Sequence, residues 1–512
     1  MPIVQQGALN TTALVIPDTY VQVVPPKNLP LNGVPSNVLA AVGSASWGPV
    51  NSLVFVGGVN QGAQIFGPVK NRKYDLMTII AAAEQQGANV FAAVRVTDGT
   101  DAAATIAVQT NCITFTSKYT GSEGNKCQVS IGPGSQANTY RVTVAMPGLV
   151  AEVFDNLAAG LSGNAVWVSI AAAINAGVYG LQGPSALITA AAGAGTTTPT
   201  TATYTLTGGL DGATSVTSTI LVGSDTTPRT GMYALRGSGA AICVLADCDT
   251  PTTWPTQVTF GLSEQMFMVV AGPQSESISS AITAKSTNGI DSYAMKVLLG
   301  DWVYWLDTAN GATRLVSPAA FAAGKMAAMS PEQSTLNKQL GSVVGTQASY
   351  AGRVYSAADL QQLSLAGIDV ICNPIPAGKV FGCRFGRNSS SDPRLRGENY
   401  TRMTNYLATT IVAGMGRYVG QLQSVSTRRE AKSTIESFLA ALEQQGMIGT
   451  PDGSPAFQVV LDNTNNLPQR VALGYMQADV KVIYLSVIEY LLVSMEVGQT
   501  VQISRQTQTF AR

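Results

Sequence analysis

Alternation of apolar and polar residues near the C-terminus predicts β-strands there. Residues 476–482 alternate with a period of two, which is typical of a half-buried strand. Their apolar side consists of Met476, Ala478, Val480 and Val482. Residues 490–497 repeat the pattern, with Leu491 and Val493 on the apolar side. Residues 500–507 have strand propensity but too few apolar residues to bury themselves, so they are a candidate for pairing with another chain.

The pattern in the first hundred residues predicts strands and helices in succession. Residues 37–50 are predicted to form a buried strand followed by a Gly-Pro turn, and further strands are predicted at 51–59 and 89–96. A helix with apolar positions three and four residues apart is predicted at 74–86. After residue 230 the pattern resumes, with strands predicted at 241–246, 267–271 and 297–306. Because several of these strands are apolar throughout, they are typical of a sheet covered on both faces. The order predicts an α/β core, a mixed sheet flanked by helices.

Between these two parts the composition changes to Ala, Thr, Gly and Ser. Short strand patterns recur there, as they do in an all-β module. We therefore predict that residues 98–214 form a mainly-β domain inserted into the core. Its glycine-rich pieces lack the strand-loop-helix context of a phosphate-binding loop, so we interpret them as turns.

The clearest helix is predicted at residues 427–445. Ser426 or Thr427, together with Glu430, is expected to form a capping box at its start. Four basic residues cluster around this start: Arg417, Arg428, Arg429 and Lys432. Cations at a helix N-terminus oppose the helix dipole, which favours contact with an acidic partner. An ordinary solvated helix end is the other interpretation.

The first 36 residues are predicted to form an extended arm. Five prolines in this stretch disfavour a helix: Pro17, Pro25, Pro26, Pro30 and Pro35. Residues 19–24 between them form a short β-prone piece that contains Tyr20, Val21 and Val23. A disordered terminus is the other interpretation of this composition.

Composition narrows the classes of function. Charged residues make up 12% of the chain and the formal net charge is zero, which argues against a nucleic-acid-binding surface and suits a subunit of a large assembly. Histidine is absent, so the commonest general base and metal ligand is missing. The six scattered cysteines are interpreted as buried thiols, and we expect no metal and no cofactor.

An enzyme, a carboxylate-dependent hydrolase built on the α/β core, is an alternative. Its candidate residues are Asp247, Asp249 and Asp301. The first two follow a predicted strand, at the edge where doubly wound sheets bind ligands. No spacing pairs these carboxylates with a base or nucleophile, and Asp249 before Pro251 is more typical of a cap for the next helix.

The sequence also lacks the marks of a membrane or secreted protein. It has no run of about twenty apolar residues, so no membrane span is expected. Its first residues do not show a basic and then apolar signal pattern. We expect the chain to fold in a reducing cytoplasm.

A series of short motifs runs in order along the chain. Turns occur at Gly48-Pro49-Val50 and Phe66-Gly67-Pro68, and residues 114–125 are similar to an Ala-Lys-Tyr-x-Gly-x-x-Gly-Asn motif. The most specific piece runs from Phe457 through Asp462 and Asn466 to Pro468, followed by predicted paired strands. In order and spacing these motifs resemble the tail sheath proteins of contractile bacteriophages. Residues 158–203 contribute little to the resemblance.

The resemblance implies a structural protein that stacks as hexameric rings around a rigid tube, without a catalytic role. Its terminal arms would donate strands to neighbouring subunits, through Tyr20, Val21, Val23, Thr500, Val501 and Ile503. The accepting sheet would contain Val480, Val482, Leu491 and Val493. The possible contact with the tube is the basic cluster of Arg417, Arg428, Arg429 and Lys432.

The resemblance also divides the chain into parts. Residues 1–36 would be the N-terminal arm and linker, 37–97 with 213–497 the sheath core, 98–214 a protruding domain and 498–512 the C-terminal arm. A strand-accepting subdomain would occupy about 380–497 of the core.

The implied partners are further copies of the chain, a tail tube protein, and baseplate and tail terminator proteins, without nucleic acid or membrane insertion. The resemblance implies that the chain is assembled in the host cytoplasm and becomes part of the contractile tail of the virion. Contraction of this tail would drive the tube through the host envelope and deliver the genome. A tail tube or capsid-associated protein is the structural alternative.

Overall fold

A computed structural model describes residues 3–6, 20–23 and 31–495. Its strands, numbered in chain order, are β1 (Ile3–Gln6), β2 (Tyr20–Val23), β3 (Leu39–Gly43), β4 (Leu53–Val56), β5 (Phe91–Arg95), β6 (Ala103–Val108), β7 (Ile113–Thr120), β8 (Gln128–Pro133), β9 (Tyr140–Ala145), β10 (Glu152–Leu157), β11 (Ile188–Ala192), β12 (Ala202–Thr205), β13 (Ile242–Leu245), β14 (Phe267–Ala271), β15 (Met295–Leu298), β16 (Val303–Asp307), β17 (Ala312–Val316), β18 (Val343–Thr346), β19 (Ile371–Cys372), β20 (Gly382–Cys383), β21 (Phe457–Val460) and β22 (Asp479–Val482). Its α-helices are α1 (Val59–Phe66), α2 (Leu76–Glu84), α3 (Asn164–Ala176), α4 (Ser218–Val222), α5 (Trp254–Glu264), α6 (Ile278–Thr287), α7 (Pro318–Ala327), α8 (Gln347–Tyr350), α9 (Ala357–Ala366), α10 (Glu398–Met415), α11 (Val425–Gln444) and α12 (Pro468–Ala472).

The centre of the molecule is a six-stranded sheet with the order β15-β14-β13-β3-β5-β4. Neighbouring strands are parallel, except that β4 runs antiparallel to β5. In the middle of the sheet, Val42 of β3 pairs with Val94 of β5 on one side and with Leu245 of β13 on the other. The sheet therefore joins strands from the first hundred residues to strands from residues 242–298.

Helices cover both faces of this central sheet. Leu39 and Ala41 of β3 pack in one buried cluster with α2 and α7, whereas Ala40 and Val42 pack in another with α5 and α9. Every residue of β3 is buried for this reason. A strand buried on both faces must be apolar throughout, which explains the sequence pattern. The predicted mixed sheet flanked by helices is confirmed.

Residues 103–205 form two antiparallel sheets, with the orders β10-β9-β8-β12 and β11-β7-β6. They share a buried cluster that is separate from those of the central sheet. Residues 164–176 form α3, a helix that was not predicted within this mainly-β part. Its buried residues include Val166, Trp167, Ile170 and Ile174. Their spacing of three and four residues is a helical signal that the sequence analysis missed.

Charged side chains join this part of the chain to the central sheet. Asp211 accepts a hydrogen bond from Arg72 Nη1 at 2.6 Å. Arg95, buried at the end of β5, donates to the carbonyl oxygens of Gly48 and Thr120 at 2.8 and 2.7 Å. Burial lowers the pKa of Arg95 to about 10. The guanidinium therefore stays charged at neutral pH and holds the two segments together.

A buried ionic network joins the central sheet to the C-terminal third of the chain. Lys296 of β15 donates to Asp369 Oδ2 at 2.6 Å and to Glu398 Oε1 at 2.5 Å, and Glu398 is the first residue of α10. The three side chains have a relative exposure of 0%. Charges at this depth are tolerated when they are paired, so the network connects β15 and α10 firmly.

The C-terminal third is built around α10 and α11. A buried cluster that includes Met403, Phe438 and Leu439 lies between these helices and the small sheet of β21 and β22. Helix α11 begins at Val425, earlier than predicted, because Ser424 Oγ accepts a hydrogen bond from the backbone N–H of Thr427 at 3.1 Å. The predicted capping box is therefore wrong.

Two other predictions are corrected in the first half of the core. Residues 51–59 do not form one strand: β4 ends at Val56, and α1, which was not predicted, begins at Val59. Residues 297–306 also do not form one strand, because β15 and β16 belong to different sheets. Gly300 lies at this break in close packing, where an added Cβ would approach the carbonyl oxygen of Pro273 to 1.9 Å.

Candidate assembly surfaces

The predicted strand-accepting sheet begins with β21 and β22, which pair antiparallel. Val480 lies opposite Val459, and Val482 lies opposite Phe457. Both valines are half-buried against the cluster of α10 and α11, whereas Lys481 between them is exposed. Within the described residues the sheet consists of these two strands. Each strand therefore has one backbone edge with no strand of the described chain beside it.

The most specific sequence motif lies in the connection between β21 and β22. Asn466 Oδ1 accepts the backbone N–H of Gln477 at 2.7 Å, and Asn466 Nδ2 donates to the Gln477 carbonyl at 2.8 Å. Asp462 accepts the N–H of Thr464 at 2.8 Å. Pro468 occupies the first turn of α12, where its missing N–H costs nothing. These residues close the connection locally and set the register of the two strands.

Residues 490–495, the described part of the second predicted strand at 490–497, do not form a strand. Residues 483–495 run without regular secondary structure. Leu491 and Val493 are 83% and 71% exposed, in contrast to the half-buried Val480 and Val482. A strand needs a neighbouring strand for its backbone hydrogen bonds, and the described chain supplies none here. The alternation marks residues suited to a sheet, but the sheet itself is missing.

The N-terminal candidate residues Tyr20, Val21 and Val23 lie in β2. This strand pairs in parallel with β1, Val21 opposite Val4 and Val23 opposite Gln6. The sequence analysis predicted the strand at 19–24 but not its pairing. The C-terminal candidates Thr500, Val501 and Ile503 lie outside the described residues.

The basic cluster is assembled around the start of α11, but acidic and polar groups accompany it. Arg428 Nη1 donates to Asn463 Oδ1 at 3.0 Å, and Lys432 lies 3.7 Å from Glu436. Hydrogen bonds from Thr464 and the nearby charges of Lys432 and Arg428 lower the pKa of Asp462. Arg429 is exposed on the surface of the helix. The cluster is thus partly neutralised on the side of Asp462.

Arg417 lies in a short turn of 3₁₀ helix, Gly416–Tyr418, that packs on α11. Its Nε donates to the carbonyl of Gly414 at 3.0 Å, and its guanidinium lies 5.7 Å from the ring centroid of Tyr418. The Tyr418 hydroxyl is hydrogen-bonded to Thr434 of α11 at 2.8 Å. This bond connects the turn that carries Arg417 to the helix that carries the other three cations.

An apolar groove lies in the same region and was not predicted. Its volume is about 510 Å³, and it is lined by Met415, Tyr418, Leu461, Tyr475 and Val480 among others. Val419, which also lines it, is 85% exposed. The lining comes from α10, the following turn, β22 and the loops beside them. Because no single periodic segment contains these residues, a sequence pattern could not find the groove.

The three carboxylates considered for hydrolysis are engaged in structural hydrogen bonds. Asp249 pairs with Lys73 at 2.8 Å, so it does not cap the next helix as predicted. Asp301 accepts the N–H of Ala348 at 2.8 Å and the hydroxyl of Tyr355 at 2.9 Å.

Asp247 accepts the N–H of Ser317 at 3.0 Å, and burial raises the pKa of its carboxyl to about 6. It lies at the carboxyl end of β13, at the edge where the sequence analysis considered ligand binding. Its hydrogen bond attaches the start of α7 to this edge, which is a structural role.

The cysteines and acidic side chains of the described residues are also candidates for catalysis and metal binding. All six cysteines are buried, and burial raises the pKa of Cys243 to about 12. No group of three or more cysteine or acidic side chains in the described parts is arranged to hold a metal ion. Among the helices of these parts, none combines the length and apolar character needed to cross a membrane.

The α/β core, the two antiparallel sheets of residues 103–205 and the small C-terminal sheet together form the fold of contractile tail sheath proteins. The resemblance seen in the sequence is confirmed at this level. The sheath tail protein of Listeria innocua is similar with a TM-score of 0.59 and 15% sequence identity, over 86% of this chain and 90% of its own. The sheath tail protein of Desulfitobacterium hafniense has a TM-score of 0.56 and 14% identity, over 86% and 93% of the two chains.

A sheath solved in its contracted state is also similar. The helical sheath of the anti-feeding prophage has a TM-score of 0.56 and 11% identity, over 94% of this chain and 99% of its own. No protein-family model and no curated protein sequence matches the chain. At these identities the likeness concerns the fold, and it extends over nearly the whole length of both chains.

Proposed function

We propose that the chain is the structural subunit of a contractile tail sheath, which polymerises as stacked hexameric rings around a tail tube. The observation that carries this proposal is the agreement of fold over 94% of the chain with a sheath that contracts. The low fraction of charged residues, 12%, fits a protein that is largely covered by its own copies. The chain then works as a mechanical element and uses no catalytic site or cofactor.

The proposed links between subunits are donated strands. The sheet of β21 and β22 is a suitable acceptor, because a two-stranded sheet is marginal alone and both of its outer edges can pair. Strands from the N-terminal residues Tyr20, Val21 and Val23 and the C-terminal residues Thr500, Val501 and Ile503 of neighbouring subunits would add to it. With about four hydrogen bonds per strand, each worth about 0.5–1.5 kcal/mol net, one arm contributes several kcal/mol.

Such contacts continue from subunit to subunit instead of closing on themselves. A head-to-tail contact that does not close generates a helical polymer. Leu491 and Val493, exposed in the single chain, would be covered in this polymer as part of the accepting sheet. The exposed apolar residues at 488–495 therefore have a function in assembly that they lack in the isolated subunit.

The proposed division of the chain assigns one task to each part. Residues 37–97 and 213–497 form the sheath core, with the strand-accepting part at about 380–497. Residues 98–214 form an inserted domain that protrudes from it, and residues 1–36 and 498–512 are the arms. Arg417, Arg428, Arg429 and Lys432 face the tail tube, while baseplate and terminator proteins bind the two ends of the sheath.

The proposed mechanism stores energy in the difference between two packings of the same subunits. The linked arms keep the polymer intact while the cores rotate from an extended to a contracted arrangement. This movement drives the tube through the host envelope and delivers the genome from the virion. A tail tube or capsid-associated protein, the structural alternative, would form particles of one diameter only.

The test is electron microscopy of the purified full-length chain and of a variant that lacks residues 498–512. We expect long tubular polymers from the full chain and monomers from the truncated chain. Both proteins should melt at the same temperature, because the deletion removes none of the described residues. Polymers of the truncated chain at undiminished yield would refute strand donation by the C-terminal arm.

A further inference from the structure

Glu489 is held between two arginines at the point where the C-terminal segment leaves the fold. Both Nε and Nη2 of Arg387 donate to its carboxylate, the former at 3.3 Å, and Arg396 Nη2 donates at 3.0 Å. The side chains of Arg387 and Glu489 are 8% and 23% exposed. The Arg396 side chain is 31% exposed, so the site is partly buried. A carboxylate bound by two guanidinium groups in such a site forms a directional, charge-assisted contact. We refer to these three residues as the Glu489 clasp.

The loop that carries the two arginines is held by hydrogen bonds outside the C-terminal segment. The backbone of Arg387 faces that of Gly397, the residue after Arg396, in a short antiparallel bridge, and the N–H of Asn388 donates to the Arg396 carbonyl at 2.8 Å. Asn388 Nδ2 donates across the same loop to the carbonyl of Leu395 at 2.6 Å. Arg387 Nη1 is also fixed by Ser364 Oγ of α9 at 2.8 Å. The loop backbone that carries both arginines, and the side chain of Arg387, are therefore held by contacts that do not involve the C-terminal segment.

The clasp divides the C-terminal segment into an attached part and an exposed part. Before it, Tyr484 packs edge-on against Tyr400 with ring centroids 5.9 Å apart, and the Leu485 carbonyl accepts a hydrogen bond from Asn399 at 3.3 Å. Tyr490, directly after Glu489, accepts a hydrogen bond from Arg387 at 3.2 Å. Leu492 beyond it is 92% exposed. The clasp and the adjoining Tyr490 contact are therefore the last polar contacts of the described segment before the exposed residues.

Apart from the packing of Tyr484, the attached part borders open space. A cavity of about 780 Å³ lies beneath it, lined by residues 482–490 on one side and by Arg394, Arg396 and Tyr400 on the other. A segment that spans such a space depends on its few polar contacts for its position. The ionic contact of Glu489 is the strongest of these by charge and by geometry.

We propose that the Glu489 clasp is a positioning device that sets where the C-terminal arm leaves each subunit and in which direction. The inference rests on the proposed function, in which this arm reaches a neighbouring subunit. An arm with a fixed starting point loses less conformational entropy when its strand is donated, because residues 483–490 are already ordered. Without the clasp the same arm would start from a longer, mobile tether and bind its acceptor more weakly.

The first experiment measures the position of the segment directly after the clasp, which leads into the arm, in the isolated full-length subunit. All six native cysteines are buried, so spin labels can be attached selectively to cysteines introduced by Val493→Cys and by Gln362→Cys on α9. We expect a narrow distribution of distances between the labels, and loss of its narrow component when Glu489→Gln is added. Glu489→Asp should retain much of the narrow component, because it keeps the charge. An unchanged distribution in Glu489→Gln overturns the proposal.

The second experiment measures the critical concentration for polymerisation by sedimentation. Glu489→Gln should raise it about tenfold, which corresponds to about 1.4 kcal/mol. The matched control is Glu264→Gln, which breaks the pair of Glu264 with Arg236, away from the C-terminal segment. It should leave both the critical concentration and the label distances unchanged. An equal rise in this control would overturn the specific role of the clasp.

The two measurements separate this inference from the proposed function. If the wild-type chain forms no polymers, the proposed function fails, and so does the role of the clasp in assembly. The label distances then still decide whether the clasp orders the segment that follows it. If the wild type polymerises and Glu489→Gln polymerises equally well despite a disordered arm, only the clasp proposal is overturned.

Discussion

The buried lysine of the central sheet provides the sharpest test of how this fold is held together. Lys296→Met keeps an unbranched side chain of similar length on β15 but removes the charge that faces Asp369 and Glu398. In the wild type, burial disfavours the ammonium form, yet attraction from Asp369 and Glu398 outweighs burial and raises the pKa of Lys296 overall. The lysine therefore stays charged at every pH near neutrality.

The cost of the substitution follows from what remains around the two carboxylates. Asp369 keeps the N–H groups of Phe385 and Gly386 at 2.9 Å each, so it is partly compensated. Glu398 keeps the Thr335 hydroxyl at 2.5 Å. Breaking a buried ion pair by removing one partner typically costs about 3–5 kcal/mol. We expect a loss near the middle of this range at neutral pH, a large part of the stability of an ordinary domain.

The pH dependence has a definite sign. A lysine whose pKa is raised by folding contributes its stabilisation fully below its unfolded pKa of about 10.4, so the wild-type contribution is constant from acid to neutral pH. In Lys296→Met, protonation of a buried carboxyl relieves the unpaired charge. The deficit of the variant should therefore shrink as the pH falls towards about 4, where carboxyl groups titrate.

The assay is urea unfolding followed by tryptophan fluorescence at pH 7.5 and 4.5. The control is Lys432→Met, which removes a surface lysine 3.7 Å from Glu436 and should change stability by no more than about 0.5 kcal/mol. A loss below about 1 kcal/mol in Lys296→Met, or a deficit that does not shrink at pH 4.5, would contradict a buried ionic network.

Two further predictions concern the tube contact and a second buried carboxyl. Arg429→Glu should weaken binding of the assembled sheath to purified tail tubes in a co-sedimentation assay. Arg394→Glu, which changes an exposed arginine in the loop before α10, should not. Equal binding by both variants would remove Arg429 from the contact. Burial raises the pKa of Glu276 to about 7, although the hydrogen bond from the Gly300 N–H acts to lower it. Folding therefore favours the protonated carboxyl, and the stability of the wild type should fall as the pH rises from about 4.5 through 7. Glu276→Gln should lose this fall, so its melting temperature should exceed that of the wild type more at pH 8 than at pH 5; parallel melting curves would argue against the raised pKa.

Local sequence patterns were sufficient to predict an element where buried and exposed positions repeat regularly along one segment. The strands of the central sheet were found because both of their faces are buried, which leaves uninterrupted apolar runs such as that of β5. The alternation around Val480 and Val482 was found because one side of β22 faces α11. Helix α3 carried a comparable signal in Trp167 and Ile170, and it was missed because the surrounding composition favoured strands.

Contacts between distant residues could not be found in this way. Glu489 meets Arg387 across 102 positions, and Lys296 meets Glu398 across the same separation. Neither pair follows a periodic pattern, because the partners lie on segments that are far apart in the chain and meet only in the folded structure. The groove beside the basic cluster has the same origin.

The sequence by itself determined the α/β core, the β-structure found at residues 103–205 and the apolar alternation at residues 476–497, because these depend on periodicity and composition. Only the tertiary structure decided that β22 has a partner strand whereas Leu491 and Val493 have none among the described residues, and that Asp249 binds Lys73 instead of capping a helix. The physical reason is that backbone edges and buried charges are satisfied by whatever the fold places beside them, and that neighbour is usually far away in the chain.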